Sequence, residues 1–420
     1  MELVAPAGNA ERMEMAFAWG ADAVYAGADR YSLRARAENF SDRELQDSIA
    51  RAHLLGKPFY LAVNAFFDDD LLTGLAEFLT GLGEPGPDAL IMSDPGAMAV
   101  ASRVRPDLPI HVSTQANTMN AETVRVLLDR FGIKRVVLAR ELTLDQISRI
   151  CHALPDIEFE VFVHGAMCVA YSGRCIVSSY LTSRAFLAPG EKMPGAIDRI
   201  RSASLGDCSQ TCRWSYGLVE EKREGVVLDI VEDDGKTMLL SSRDLCMVDH
   251  LGALRDAGVH ALKIEGRMKS LQYAAVTSGI YRDALNHLGS GQEVTPERRG
   301  LWHDELDALS RREYSTGFYF LDNEAFVPSQ CDRQPPWLMA GVVLGAVGQG
   351  VWRCQATNPV REDAVLSAFM PDLEKSRLIG FRLFGPDGDA RSLVRPGEEF
   401  LLRTRARLGP MSILRLDSGR

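Results

Sequence analysis

The chain has 420 residues, with 47 Lys and Arg against 57 Asp and Glu, a formal charge of -10 and a pI near 5.4. That length, with 46% apolar residues, excludes a disordered chain and leaves room for one large domain plus a small one. The acidic sum excludes general attraction to nucleic acid, no apolar run reaches bilayer length, and MELVAPAGNAERMEM lacks a basic start before an apolar stretch, so a soluble, cytoplasmic protein with no membrane partner is expected.

From Leu3 onward short apolar strands alternate with amphipathic helical stretches. ELVAPAG leads to a helix around Asn9 to Trp19, ADAVYAG past YSLRAR to one around Asp42 to Leu55, and PFYLAVN to one around Asp70 to Leu82. DALIMSD, IHVSTQ and RVVLARE precede helices near Pro95 to Arg103, Ala121 to Arg130 and Thr143 to Leu154. FEVFVHG is the seventh strand. An eighth, Ala261 to Gly266, follows a helix near Ser241 to Ala257 and precedes one near Leu271 to His287.

The repeat predicts an α/β chain with a (β/α)8 TIM-like barrel over residues 1–290, because parallel neighbours need a helix-sized crossover; a doubly wound open sheet is the alternative. Residues 168–240, between strands seven and eight, read as an insertion on the loop side that forms the catalytic face of such barrels, with a hairpin around Asp234-Gly235. Residues 291–338 read as a linker and helical extension. Residues 339–420 read as strands divided by Gly, Pro and Asp turns, a small C-terminal β-barrel.

The insertion carries the chemistry. Six residues lie between Cys168 and Cys175, and three between Cys208 and Cys212. In a reducing compartment clustered thiols point to metal or redox chemistry rather than to a disulfide framework. The second pair fits a structural zinc site and the first does not, whereas iron–sulfur ligation tolerates wider gaps; a redox disulfide or plain packing also stays open. Cys151, Cys246 on the helix before strand eight, Cys331 and Cys354 read as packing, with Cys246 the reserve ligand if Cys212 is not one.

Where the strands end, Tyr25, Arg34, Asn64, Asp94, Arg140, His164, Glu265, Arg267 and Lys269 are candidates to line one pocket. Among them Glu265, Arg267 and His164 are the catalytic candidates, Arg34 and Lys269 the substrate-binding ones, and Arg267 is expected to grip an anion through its planar fork. Near the C-terminus, Arg391, Arg395, Arg403, Arg405, Arg407, Arg415 and Arg420 face only Glu398, Glu399 and Asp417. This basic tail reads either as solvated charge or as phosphate contacts, with Arg403 and Arg405 as further substrate-binding candidates.

EVFVHGAMCVAYSGRCIVS resembles the signature of the collagenase-like U-type peptidase family, number 32. The opening ELVAPAGNAERMEMAFAWGADAVYAG with YSLRAR, then DALIMSDPG, HVSTQAN, LKIEGRMKS and REYSTGF, resemble it too, over most of the chain to about residue 320. The DCSQTCRW pair is most similar to the family's RNA-hydroxylating branch. That resemblance implies oxygen-independent formation of 5-hydroxyuridine at the tRNA wobble position, prephenate as co-substrate, an electron donor, and a 4Fe-4S cluster on Cys168, Cys175, Cys208 and Cys212. Sister branches hydroxylate a ribosomal RNA cytidine or a ubiquinone precursor. The chain departs from the RNA branch in its long spacer SRAFLAPGEKMPGAIDRIRSASLGD. The family's peptidase name is a competing reading, but neither HExxH nor GxSxG occurs in the sequence. An iron–sulfur electron carrier is a third reading, and a polar loop face argues against it.

Overall fold

The computed structural model describes residues 1–33, 39–167, 208–211, 232–233, 236–237, 242–320 and 335–417. The chain divides into two compact units, one of Met1–Met13, Asp22–Lys269 and Arg312–Cys331, the other of Glu14–Ala21, Ser270–Arg311 and Asp332–Arg420.

The first unit is the barrel. Strands β1 (Glu2–Pro6), β2 (Ala23–Gly27), β3 (Phe59–Val63), β4 (Ala89–Met92), β5 (Ile110–Val112), β6 (Arg135–Val137) and β7 (Glu158–Gly165) pair in parallel succession. After the short antiparallel pair β8 (Glu232–Asp233) and β9 (Lys236–Thr237), and then β10 (Asp244–Cys246), comes β11 (Ala261–Ile264). It pairs in parallel with both β1 and β7 and closes the ring. Val4, Tyr25, Tyr60, Ile91 and Ala261 form one buried cluster. Side chains of strands that are not neighbours can meet in this way only across the barrel interior, so these positions point inward and fix the register.

The helices follow local chemistry. Ser41 and Glu44 close a capping box on the Asp42–Leu54 helix, and Thr143 and Gln146 another on Leu144–Ala153. The stretch expected as one helix from Asp70 to Leu82 is two, Asp69–Leu72 and Leu75–Thr80, because Gly74 between them takes a φ of 88°. The expected helix from Ser241 to Ala257 is corrected more deeply. Its front half is β10, antiparallel to the end of β7 with Cys246 opposite His164, and its helix spans only Leu251–Asp256. Between 291 and 338, Pro296–Asp307 is helical and β12 (Tyr314–Ser315) joins the barrel sheet alongside β10. Among the described residues no helix is long and apolar enough to cross a membrane.

In the second unit, ten further strands follow: β13 (Trp337–Gly348), β14 (Val351–Ala356), β15 (Val360–Arg361), β16 (Leu366–Phe369), β17 (Lys375–Leu378), β18 (Arg382–Phe384), β19 (Ala390–Arg391), β20 (Leu393–Val394), β21 (Glu399–Arg403) and β22 (Ile413–Asp417). Eight of them form an antiparallel sheet in the order β17-β16-β22-β13-β14-β21-β18-β19. Leu366 and Ala368 near one edge and Leu383 near the other share a core with Phe400 and Leu414. The sheet therefore curls around that core as a half-barrel. The Leu271–Ser290 helix belongs to this unit: Gly279 has no side chain where a Cβ would lie 2.7 Å from Trp19 and 3.1 Å from Leu373. Trp19 in turn donates from Nε1 to the Met411 carbonyl at 2.9 Å.

Candidate active site

In the barrel unit, β7 runs out at the C-terminal face, where the chain is pinned just before Cys168. Arg140 Nη1 donates to the Ala166 carbonyl at 3.1 Å and Ser242 Oγ to the Met167 carbonyl at 2.8 Å. Arg140 follows β6 and Ser242 stands just before β10, so the start of the cysteine-bearing insertion is tied to two other parts of the barrel unit. Cys168, Cys175, Cys212 and Arg34 lie outside the described residues. Cys208 is described: it is half-buried, and its Sγ accepts the Gln210 amide at 3.3 Å, in a turn where Gln210 has a φ of 56°.

Beside this anchor three strand ends meet in a row of polar groups. Arg140 Nη2 lies 3.6 Å from Glu265 Oε2, and Tyr25 Oη lies 3.4 Å from the same oxygen while donating to the Ile264 carbonyl at 3.1 Å. The Arg140 guanidinium lies 4.0 Å from the centre of the Phe162 ring, and its Nε is buried without a hydrogen-bond partner. That donor is left unsatisfied among the described residues. His164, 1% exposed, sits 3.4 Å from Tyr314 Oη. Burial first, then the Lys269 charge, push its pKa down to about 3, so the ring is neutral at ordinary pH and a weak base.

Arg267 differs from expectation. It is 5% exposed, and its fork holds the chain rather than reaching for an anion: Nη1 donates to Ser32 Oγ at 2.7 Å and Nη2 to the Leu33 carbonyl. Asn64 Oδ1 takes the Leu33 amide at 3.2 Å, while its Nδ2 reaches Ser113 Oγ at 3.3 Å. Together they clamp the loop after β2 immediately before Arg34. At Gly27 a Cβ would fall 2.2 Å from Arg267 Nη1, so any side chain there would displace the fork.

The sequence profile of peptidase family U32 matches residues 8–327. The chain belongs to that family. It is 38% identical over 356 residues to tRNA hydroxylation protein P of Escherichia coli, a match covering 76% of this chain and 74% of that protein. It is also similar to an uncharacterized protease of Methanocaldococcus jannaschii, with 38% identity over 77% of this chain and 74% of that one. The 23S rRNA 5-hydroxycytidine C2501 synthase of Escherichia coli is 37% identical over 68% of this chain and 39% of its own length.

Several stretches that resemble U32 sequences have structural duties here. In SDPG, Asp94 caps the Pro95–Val104 helix by accepting the Ala97 amide at 2.9 Å. In HVSTQAN, Ser113 Oγ accepts the Gln115 amide at 3.3 Å and Thr114 Oγ1 donates to the Leu138 carbonyl at 3.2 Å, joining the ends of β5 and β6. REYSTGF supplies β12 and Tyr314, and Arg312 Nη1 donates to the Ser242 carbonyl at 2.6 Å.

Inside the barrel lies a charged layer that sequence reasoning missed. Lys263 Nζ is 2.6 Å from Glu160 Oε1, and Arg135 reaches Glu160 at 3.1 Å, Glu2 at 2.5 Å and Glu158 at 2.6 Å. Tyr60 Oη donates to Glu2 at 2.8 Å. The available signal was a charge at an inward position of two apolar strands, Glu160 in β7 and Lys263 in β11.

The C-terminal basic tail also contracts. Arg415 is buried, bound by two hydrogen bonds to Glu305 at 3.0 and 2.6 Å and lying 3.6 Å from the Trp337 ring centre. Arg391 pairs with Asp389 at 2.8 Å and Arg407 with Asp372 at 2.5 Å. Arg403 and Arg405 stay exposed, with no acidic partner among the described residues.

Proposed function

We propose that this chain hydroxylates RNA, taking a tRNA uridine at carbon 5, with a 4Fe-4S cluster held by Cys168, Cys175, Cys208 and Cys212. The observation that carries the reading is the 38% identity to tRNA hydroxylation protein P over 76% of the chain. The donor chemistry suits the cluster: thiolates are soft ligands, and the amide hydrogen bond to Cys208 Sγ is of the kind that stabilises a coordinated sulfur. When bound, the cluster would supply electron transfer. Prephenate as co-substrate and a separate electron donor rest on the family resemblance.

The chain's own groups do the positioning. A base enters unpaired, since a stacked one cannot present its edge to a barrel mouth. Arg140 is the cation placed at the mouth for an oxygen of the bound ligand, and Glu265 holds Arg140 and Tyr25 in place. Neutral His164 orients through hydrogen bonds instead of taking a proton. The same property weakens the peptidase reading, because a group with a pKa of about 3 is a poor base for activating a nucleophile. Hydroxylation of a ribosomal RNA cytidine is the second reading, favoured by the similarity to the 23S rRNA enzyme.

In a strain lacking its own enzyme, the Glu265→Ala protein should restore tRNA 5-hydroxyuridine at least roughly tenfold less well than the unaltered chain, with iron content retained, because Arg140 loses its alignment. Full modification by that variant would remove the mouth row from the mechanism.

A further inference from the structure

The strongest unassigned feature lies in the half-barrel unit. A cavity of about 840 Å³ is ringed by Arg382, Arg403, Arg405 and Arg407, with Trp352 and Ile379 also in its lining and no acidic residue among its walls. Arg382 and Arg403 are register partners on neighbouring antiparallel strands. Like charges directly opposite each other destabilise a sheet, so a local rule is broken here. Glu362 offsets Arg382 at 3.2 Å and Asp372 offsets Arg407, yet Arg403 has only the Phe384 ring at 5.0 Å and Arg405 has no charged partner among the described residues. Ile379 is 79% exposed on the rim. On a chain of net charge -10, four arginines around one concavity are a local reversal of the field rather than background.

We propose that this cavity holds unpaired nucleotides of the RNA substrate, with phosphates at Arg403 and Arg405 and a base against the apolar lining. The inference rests on the RNA reading above and adds to it a second contact region outside the barrel unit. Concave basic sites with aromatic and apolar lining suit a splayed single strand, whereas a duplex presents phosphates to a convex or flat surface. The cavity is also of the size that encloses a small ligand group.

The test uses the full chain and an unmodified tRNA transcript, with affinity measured by fluorescence anisotropy between about 50 and 200 mM salt. Arg403→Ala/Arg405→Ala should bind roughly tenfold more weakly and show a salt slope shallower by about 1.4, the loss expected for two phosphates of a single strand. Arg377→Ala, an exposed arginine on β17 outside the cavity, should leave both unchanged. Oligouridine should compete better than a duplex of equal length. A double variant with unaltered affinity and slope overturns this inference and leaves the RNA reading standing; an unaltered chain that binds no tRNA overturns both. Preferential competition by the duplex overturns the assignment to an unpaired strand.

Discussion

Cys208→Ser should yield a colourless protein with less than about a tenth of the iron of the unaltered chain, which itself, purified without oxygen, should be brown with about four iron and four sulfide. A serine oxygen is a harder donor than a thiolate and is a poor match for cluster iron. The loss should be selective. Cys151 and Cys354 are buried thiols whose pKa values burial pushes up to about 12, so neither supplies a thiolate at neutral pH, and serine at either should leave the iron unchanged. Stoichiometric zinc with no sulfide in the unaltered protein would contradict the cluster and return the cysteines to a structural site.

Glu160→Gln should destabilise the barrel by about 3–5 kcal/mol, the usual cost of leaving a buried charge without its partner. Burial alone would raise the Glu160 pKa, but Lys263 and Arg135 outweigh it and hold the carboxyl below its ordinary value. Burial also pulls Lys263 below the ordinary lysine value in spite of Glu160, so removing that carboxylate leaves an ammonium with little to offset its lost hydration. Glu160→Leu combined with Lys263→Met should cost less than the two single changes added together, since the pair leaves as a unit. Denaturant unfolding of the unaltered chain, Glu160→Gln, the two single variants and the double variant measures this. A loss under about 1 kcal/mol for Glu160→Gln would show that water reaches the pair.

Those charges also mark where the sequence stopped being legible. All eight barrel strands could be read from short apolar runs between helices, because a strand covered on both faces is apolar throughout and its crossovers are amphipathic. The same logic hid the interior: Glu160 and Lys263 look like exceptions in apolar strands, and only closure of the ring brings β7 and β11 side by side. Gly74 was a visible break that one apolar period ran across. The stretch before Leu251 carried a helical pattern, but pairing with the end of β7 took its first residues into a strand.

At the site, Glu265, Arg140 and Tyr25 could be named because strand ends of a barrel converge. Arg267 and Asp94 could be named but not their duties, since a guanidinium fork fits a carbonyl and a hydroxyl as well as an anion, and an aspartate before Pro-Gly fits a helix start as well as a pocket. Arg415 misled for a similar reason: its partner Glu305 lies 110 residues away in sequence. The long spacer between the cysteine pairs falls outside the described residues and keeps only its sequence reading.

The most direct measurement of the central claim is mass spectrometry of nucleosides from a strain that lacks its own tRNA uridine hydroxylase, grown without oxygen and supplied with this chain. The account predicts that 5-hydroxyuridine returns to the tRNA fraction, that Cys208→Ser fails to restore it, and that 23S ribosomal RNA is unchanged. Absence of 5-hydroxyuridine from tRNA, with new 5-hydroxycytidine in ribosomal RNA or no modified nucleoside at all, would contradict it.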